Sequence, residues 1–525
     1  MNTKKNTHTS NYVKKKFSLF FISIIQLLVS ILGCASLASW IAYKWTSNTF
    51  GDALDFDQIL WTISYSQTGA PLDLVLSAIL YSFFWLVLCF IWVVLVFGIN
   101  HIDLIYRFLL TVNKFILKIK TLCLKIYTHL QKATKMRFYN IVFISTSLIV
   151  FCSIAVLSFT NALKTIDKRY KFTDYLKIQK QLDKYDYINE YYDVPQLSEI
   201  SFKDKKNIIL VLGESLESNF RSNDPLSTEL DRLSKQGASV YNMVNTAGSG
   251  WTIAAMTGWH FGLPLKLPNK LLNDYHSPRG FLPNALSIFD ILKKNGYKTV
   301  LLIGSDSHFS GQKKLFESHG EFEILDKKYW IKKGYDLKKY QGTDWGFSDG
   351  FVFERAKEEF IKLQNEGKPF VLFVETVDTH APDGWCPEDK KVYYDIRDAY
   401  LETDRQIGSF TDFIFENKKS KLVIGIIGDH LFMGEPSIFQ GIDRRIRNIF
   451  LGDIPTLPKE KVNSKICAVD MAPTILEACG AVWNSSRFGL GTSIFSKERA
   501  LIDKIGEKTY NEFVSYPSKR YQSFY

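Results

Sequence analysis

Apolar residues are distributed along this chain in two different ways. Up to about residue 163 they form three long runs, Phe17 to Tyr43, roughly Leu72 to Ile99, and Phe138 to Leu163. Each is long enough to cross the ~30 Å hydrocarbon layer of a membrane as a helix. A cleaved signal peptide would explain the first run alone, but its length and the two runs behind it argue for retained spans. Further on, the apolar residues come in short continuous runs near 207–213, 298–304, 370–375 and 421–428. Amphipathic stretches near 284–294, 351–365 and 400–416 alternate with them. Continuous apolar strands belong in a parallel sheet covered on both faces. Their alternation with helices predicts an α/β fold, a doubly wound sheet domain following a three-helix transmembrane region. The expected division is a transmembrane region at 1–163, a connector at 164–205 and a catalytic domain at 206–525. The connector is rich in Lys, Asp and Tyr and reads as helical, along the membrane–water boundary where tyrosine sits well.

Charge sets the expected orientation. Lys4, Lys5, Lys14, Lys15 and Lys16 precede the first run without an acidic residue among them. Between the second and third runs Arg107, Lys114, Lys118, Lys120, Lys125, Lys132, Lys135 and Arg137 face only Asp103, whereas the loop near 46–71 has Asp52, Asp55 and Asp57 and no Lys or Arg. The positive-inside rule places the amino terminus and the basic loop at 100–137 in the cytoplasm. Within it Ile102 to Leu130 alternates Leu, Ile and Phe with Lys and Arg and reads as an amphipathic helix on the inner leaflet. A re-entrant or spanning segment is the weaker alternative, because Lys114, Lys118 and Lys120 would sit in hydrocarbon. Three spans then put the domain outside, in the periplasm of a cell with two membranes: a multi-pass protein of the bacterial inner membrane. The first 163 residues hold 14 of the 65 Lys and Arg but 5 of the 54 acidic residues, so most of the +11 net charge is a topology signal. The domain itself is near neutral, which gives no support to nucleic-acid binding. Of the seven cysteines only Cys386, Cys467 and Cys479 fall on the expected outer side, and no C-x-x-C spacing suggests zinc.

Three strand-like runs break off at residues able to hold a metal or act on a phosphoryl group. Asn207 to Gly213 runs into Glu214, Lys421 to Gly428 into Asp429 and His430, and Pro369 to Val374 leads on to Asp378 and His380. Ligands of parallel sheets bind beyond the carboxyl ends of the strands, so these groups are expected to meet at one edge. An Asp–His pair there suits Zn²⁺ or Mn²⁺. Each carboxylate alone also reads as a cap of the following helix. Gly248-Ser-Gly-Trp-Thr252 allows a tight turn opening an apolar helix, which makes Thr252 the candidate nucleophile. Free backbone N–H groups at such a helix start favour phosphate and a developing anion. Threonine is a weak nucleophile and would need a metal to lower its hydroxyl pKa. A plain N-cap threonine is the competing reading. His380 is a candidate to hold the phosphate or protonate a leaving oxygen. His308, Trp345 and Trp251 complete the candidate substrate-binding residues.

Several stretches resemble the alkaline phosphatase superfamily in its membrane-bound branch of lipid head-group transferases: Gly213-Glu-Ser-Leu-Glu217, Gly250-Trp-Thr-Ile-Ala254 with Gly262-Leu-Pro-Leu265, Glu317-Ser-His-Gly320, Asp344-Trp-Gly-Phe347, Thr376-Val-Asp-Thr-His380 with Pro382-Asp-Gly384, Asp429-His-Leu431 and Gly489-Leu-Gly491. That branch includes lipoteichoic acid synthases, lipid A phosphoethanolamine transferases and the phosphoglycerol transferases that decorate periplasmic glucans, the last being the best match. The resemblance implies a sulfatase-like sheet domain and one divalent metal, Mn or Zn rather than Mg, on Glu214, Thr252, Asp429 and His430. It also implies a covalent intermediate on Thr252. The donor would be phosphatidylglycerol in the outer leaflet of the inner membrane, and the acceptor a periplasmic or surface glycan. Two alternatives stay open: phosphoethanolamine transfer to lipopolysaccharide, and a membrane-tethered phosphodiesterase. Phe309-Ser-Gly-Gln312 lacks the Trp and Arg of the lipoteichoic acid synthase head-group pocket, so the head group is less defined than the reaction. Thr252-Ile-Ala-Ala-Met256 does not fit the C/S-x-P-x-R pattern of sulfate-ester hydrolysis. Nothing in the chain defines an oligomeric state.

Overall fold

The computed structural model describes residues 3–50, 56–64, 70, 72–98, 136–179, 186–218, 227–266, 280–340, 342–343, 345–381, 384–385, 396–434 and 442–525. Two compact units are distinguished, Met1–Ser47 with Leu76–Arg169, and Asn48–Val75 with Tyr170–Tyr525.

The first unit contains the helices α1 (Thr3–Phe50), α3 (Leu72–Gly98) and α4 (Met136–Tyr170). Within them Ser23–Thr49, Leu74–Phe97 and Thr146–Tyr170 are long and apolar enough to cross a membrane. Val29, Val96 and Ala155 form a small buried core, and Gln26 donates a hydrogen bond to the Val96 carbonyl at 2.8 Å. Leu80, Phe83, Phe90 and Leu157 are largely exposed, as residues facing hydrocarbon would be. The amphipathic helix expected at Ile102 to Leu130 lies outside the described residues.

The second unit is built on a six-stranded sheet: β1 (Asn207–Gly213), β2 (Lys298–Ile303), β3 (Glu323–Leu325), β4 (Phe370–Glu375), β5 (Leu422–Gly428) and β6 (Asn448–Gly452). Its order is β3-β2-β4-β1-β5-β6, all parallel except β6, which runs antiparallel to β5. Successive residues of a strand point to opposite faces. Ile208, Leu210, Leu212, Val371 and Phe373 accordingly belong to one core cluster, while Ile209, Val211, Leu372, Val374 and Ile424 belong to the other. Two cores on one sheet are the doubly wound arrangement, and each fully buried Val, Leu or Ile contributes about 1.5–3 kcal/mol. The helices α6 (Thr252–Phe261), α7 (Ile288–Lys294), α8 (Gln312–Ser318) and α11 (Met471–Ala478) supply side chains to the first core, and α5 (Thr228–Gln236), α9 (Asp349–Asn365) and α10 (Ile396–Asn417) to the second.

Two expected boundaries shift. The connector's second half is part of the domain: Tyr187 and Tyr191 stack on Phe513 with ring centroids 5.1 and 5.9 Å apart, and Asp193 bridges to Gly489. Tyr187 and Tyr191 are thus anchored by ring packing within the domain. The segment between the first two apolar runs also clusters with the domain, through the helix α2 (Phe56–Ser64), whose Trp61 is buried in the first core.

Candidate active site

The carboxyl ends of β1 and β5 are in register, Gly213 opposite Gly428, so the residues that follow them emerge side by side. Glu214, Asp429 and His430 are all buried, and each offers one ligand atom within 4.8 Å of the others. Local bonds set their geometry. Asp429 Oδ1 accepts from the backbone N–H of Ser215 (2.8 Å) and of His430 (2.7 Å). Glu214 donates its N–H to Thr376 Oγ1 at 2.9 Å, and its carbonyl accepts from Thr379 Oγ1 at 2.5 Å. His430 Nδ1 lies 2.9 Å from the Leu431 carbonyl. A carbonyl only accepts, so Nδ1 carries the proton, and in the neutral ring Nε2 presents its lone pair.

That lone pair faces Asp429 Oδ2 at 3.2 Å and Glu214 Oε1 at 3.6 Å. Asp429 Oδ2 is buried and makes no hydrogen bond. Among the described residues, neither carboxylate has a lysine or arginine partner. Three electron-pair donors thus converge where water is scarce, which is costly unless a proton or a cation stands between them. Burial, and then the charge of Glu214, push the Asp429 carboxyl up to about 7. Burial acts to lower the His430 imidazole, but Asp429 and Glu214 outweigh it and raise it. This oxygen and nitrogen donor set fits a divalent transition metal such as Zn²⁺ or Mn²⁺.

Thr252 opens α6. Gly248, at φ 72°, allows the turn before it, where a Cβ would come 2.6 Å from the Leu265 carbonyl. The hydroxyl of Thr252 lies 3.4 Å from Glu214 Oε2 and 3.5 Å from His430 Nε2. It is partly exposed, so it stands between the buried cluster and solvent. No side chain caps the first turn of α6. The four residues expected to act together are therefore adjacent.

The candidate substrate residues are placed less uniformly. Trp345 packs on His380 with ring centroids 4.2 Å apart, and Phe309 meets the far side of the group, 5.4 Å from Trp345. His380 Nδ1 is held by the Ala381 carbonyl at 2.6 Å, which leaves Nε2 for other chemistry. His308 belongs to a separate group, with its Nδ1 2.8 Å from Asp306 Oδ1 and Lys328 also on Asp306 at 2.9 Å. Trp251 departs from the expected substrate surface. It is 5% exposed and lies in the first core. Its backbone is extended (φ −150°, ψ 162°).

Several supporting residues escaped the sequence reading. Glu217 is buried, accepts from Phe432 N–H at 2.8 Å and pairs with Arg444, which also donates to the Phe432 carbonyl at 2.8 Å. This clamps the segment that follows His430. Asp349 and Asp378 form a buried pair in which each carboxylate accepts a backbone N–H from the other's residue, at 2.9 and 3.2 Å. Burial, and then the charge of Asp349, raise Asp378 well above the usual carboxylate range. Glu217 lies within the Gly213-Glu-Ser-Leu-Glu217 stretch but four residues past the end of the strand, where no local pattern marks it.

Residues 206–481 match the family model described as Sulfatase, more than half of the 525-residue chain. The chain belongs to the sulfatase family. Within this family it resembles curated proteins named phosphoglycerol transferase I. One from Xanthomonas campestris pv. campestris is 32% identical over 301 residues, 54% of this chain and 42% of that protein. Another, from Salmonella paratyphi B, is 30% identical over 308 residues, 56% of this chain and 39% of that protein. The sulfatase-family chain thus spans less than half the length of these relatives. Among solved structures it is similar to the lipoteichoic acid synthase LtaP from Listeria monocytogenes, at 15% identity and TM-score 0.45, over 64% of this chain and 96% of that one.

Proposed function

We propose that this protein is a membrane-bound transferase that moves a phosphoglycerol head group from phosphatidylglycerol, through an ester on Thr252, to a glycan hydroxyl. The observation that carries the reading is the Thr252 hydroxyl, placed at a helix start within 3.5 Å of two members of the buried cluster. The relatives named phosphoglycerol transferase I support the choice of head group. Three helices of membrane-spanning length support a lipid donor, and the lysine and arginine bias supports a periplasmic domain drawing on the outer leaflet.

Glu214, Asp429, His430 and Thr252 would hold the divalent cation, Mn²⁺ or Zn²⁺. When bound, it supplies positive charge that favours the ionised hydroxyl and the anionic transition state. The residues do the rest. Glu214 Oε2 is the acceptor nearest the Thr252 proton. The Thr252 oxygen forms a bond to phosphorus, and the bond from phosphorus to the diacylglycerol oxygen breaks. His380, with Nδ1 committed to Ala381, meets that leaving oxygen at Nε2 and supplies its proton. In the second half the acceptor hydroxyl gives its proton to the same nitrogen as its oxygen bonds to phosphorus, the bond from phosphorus to the Thr252 oxygen breaks, and that oxygen regains its proton from Glu214. Free first-turn N–H groups of α6 favour the phosphoryl oxygens throughout.

Intact mass of the full chain in detergent, after incubation with Mn²⁺ and phosphatidylglycerol, tests this directly. An adduct of phosphoglycerol mass mapping to Thr252 is expected. A phosphoethanolamine adduct from phosphatidylethanolamine alone would keep the mechanism and replace the donor. Free glycerol phosphate without glycan product would make the protein a phosphodiesterase.

A further inference from the structure

Outside the family-matched segment, α2 places two residues against the surroundings of the site. Gln58 and Trp61 are three positions apart and share one helix face. Trp61 is 1% exposed and packs edge-on against Phe281, with ring centroids 5.8 Å apart. Its indole N–H donates to the Ser310 carbonyl at 3.2 Å. That carbonyl belongs to a turn with two successive left-handed residues, Ser310 at φ 55° and Gly311 at φ 87°. A serine keeps such a conformation only where its surroundings impose it. The turn is held at its other end by Gln312, whose side chain donates to Glu375 Oε1 at 3.0 Å, beside the ends of the strands. Phe309, in the same turn, meets Trp345, and Trp345 lies on His380. Gln58 reaches Met433 Sδ at 3.6 Å, three residues beyond His430.

We propose that Trp61 is a positioning residue of the site. By binding the Ser310 carbonyl it fixes the turn, and through Phe309 and Trp345 it fixes the imidazole of His380. The catalytic use of His380 rests on the proposed function, whereas the link from Trp61 to His380 is one of packing and is testable by itself. It follows that residues 206–481, although they hold the family match, do not contain the whole site. The segment between the first two apolar runs completes it.

The test uses the full chain in detergent as wild type, Trp61→Ala and Trp61→Phe. Two rates are mapped by mass spectrometry: backbone amide exchange over residues 308–313, and modification of His380 by diethyl pyrocarbonate. Trp61→Ala is expected to raise both by about five-fold or more, the scale of one lost hydrogen bond with its packing. Trp61→Phe keeps a ring against Phe281 but loses the N–H. It should speed both exchange in the turn and His380 modification, each by less than Trp61→Ala. In the transfer assay, Trp61→Ala should lower kcat with little change in the KM for phosphatidylglycerol, because the imidazole it positions acts on the leaving oxygen. Unchanged rates in both variants would overturn the proposal. So would a rise that appears equally in β1, because that is general loosening. If the wild type transfers neither head group, the proposed function fails and the two labelling rates still decide the role of Trp61.

Discussion

The Thr252 hydroxyl lies 3.5 Å from His430 Nε2, although 178 positions separate the two residues in the chain. The sheet makes this contact, because β1 and β5 are neighbours whose ends are in register, and α6 begins over the same edge. A side chain that merely capped α6 would have no need of this company.

Replacing Thr252 distinguishes a nucleophile from a hydroxyl that only packs at the helix start. Thr252→Ala should abolish the mass adduct and lower transfer by roughly a million-fold, the scale seen when a covalent nucleophile is removed. Thr252→Ser keeps a hydroxyl and should retain a measurable adduct. Thr252 follows the N-cap residue Trp251 and caps nothing, so a purely structural hydroxyl would leave turnover largely intact when removed. Transfer by Thr252→Ala at near wild-type rate would therefore return the residue to a structural role.

The donor set of Glu214, Asp429 and His430 makes a prediction that needs no substrate. Calorimetric titration of the metal-stripped protein with Zn²⁺ or Mn²⁺ should show one site per chain. Asp429→Asn should weaken it by more than about 100-fold, beyond the 10–100-fold typical of residues that only orient a ligand. Thr376→Ala, which removes the partner of the Glu214 N–H, should fall within that smaller range. Equal affinity in wild type and Asp429→Asn would show that the cation binds elsewhere.

Which parts were legible in the sequence follows from what is local. The strands β1, β2, β4 and β5 are unbroken apolar runs, and their ends gave Glu214, Asp429 and His430 directly. The strand β3 is three residues long and includes Glu323, and β6 pairs antiparallel at the edge, so neither has a pattern of its own. Partnerships were illegible for the same reason. Nothing near Glu217 points to Arg444, 227 positions away, and nothing near Trp61 points to Ser310, 249 positions away. Only the fold brings them together.

Glu375 gives a pH dependence with a definite sign. Burial, and then the charges of Glu214 and Asp429, push this carboxyl up to about 8, against the hydrogen bond from Gln312. Its ordinary value is 4.5. The folded protein therefore holds a proton that the unfolded chain releases between these two values. Stability from this group is complete below the lower value and is lost as pH rises to about 8. Glu375→Gln keeps an acceptor for Gln312 and cannot ionise. The fall in Tm between acidic and mildly alkaline buffer should be smaller in this variant than in the wild type, measured without added metal. Parallel Tm curves for the two proteins would show that Glu375 does not titrate in this window.

Arg444 tests the clamp behind His430. Glu217 is fully buried, and Arg444 binds both its carboxylate and the Phe432 carbonyl. Burial raises the Glu217 carboxyl and Arg444 opposes that rise, so removing the arginine leaves an uncompensated buried acid. Arg444→Ala should therefore cost about 3 kcal/mol, the lower end of the range for breaking a buried pair. The loss should be greatest at high pH, where the isolated acid is forced to ionise. The double variant Glu217→Gln with Arg444→Ala removes the charge along with its partner and should recover part of that stability. It cannot restore the bond from Arg444 to the Phe432 carbonyl, so the segment after His430 should stay loose and cation affinity should stay reduced in both variants. Urea unfolding gives the first quantity and calorimetric titration the second. Recovery of both by the double variant would mean that the pair serves stability alone and does not position His430.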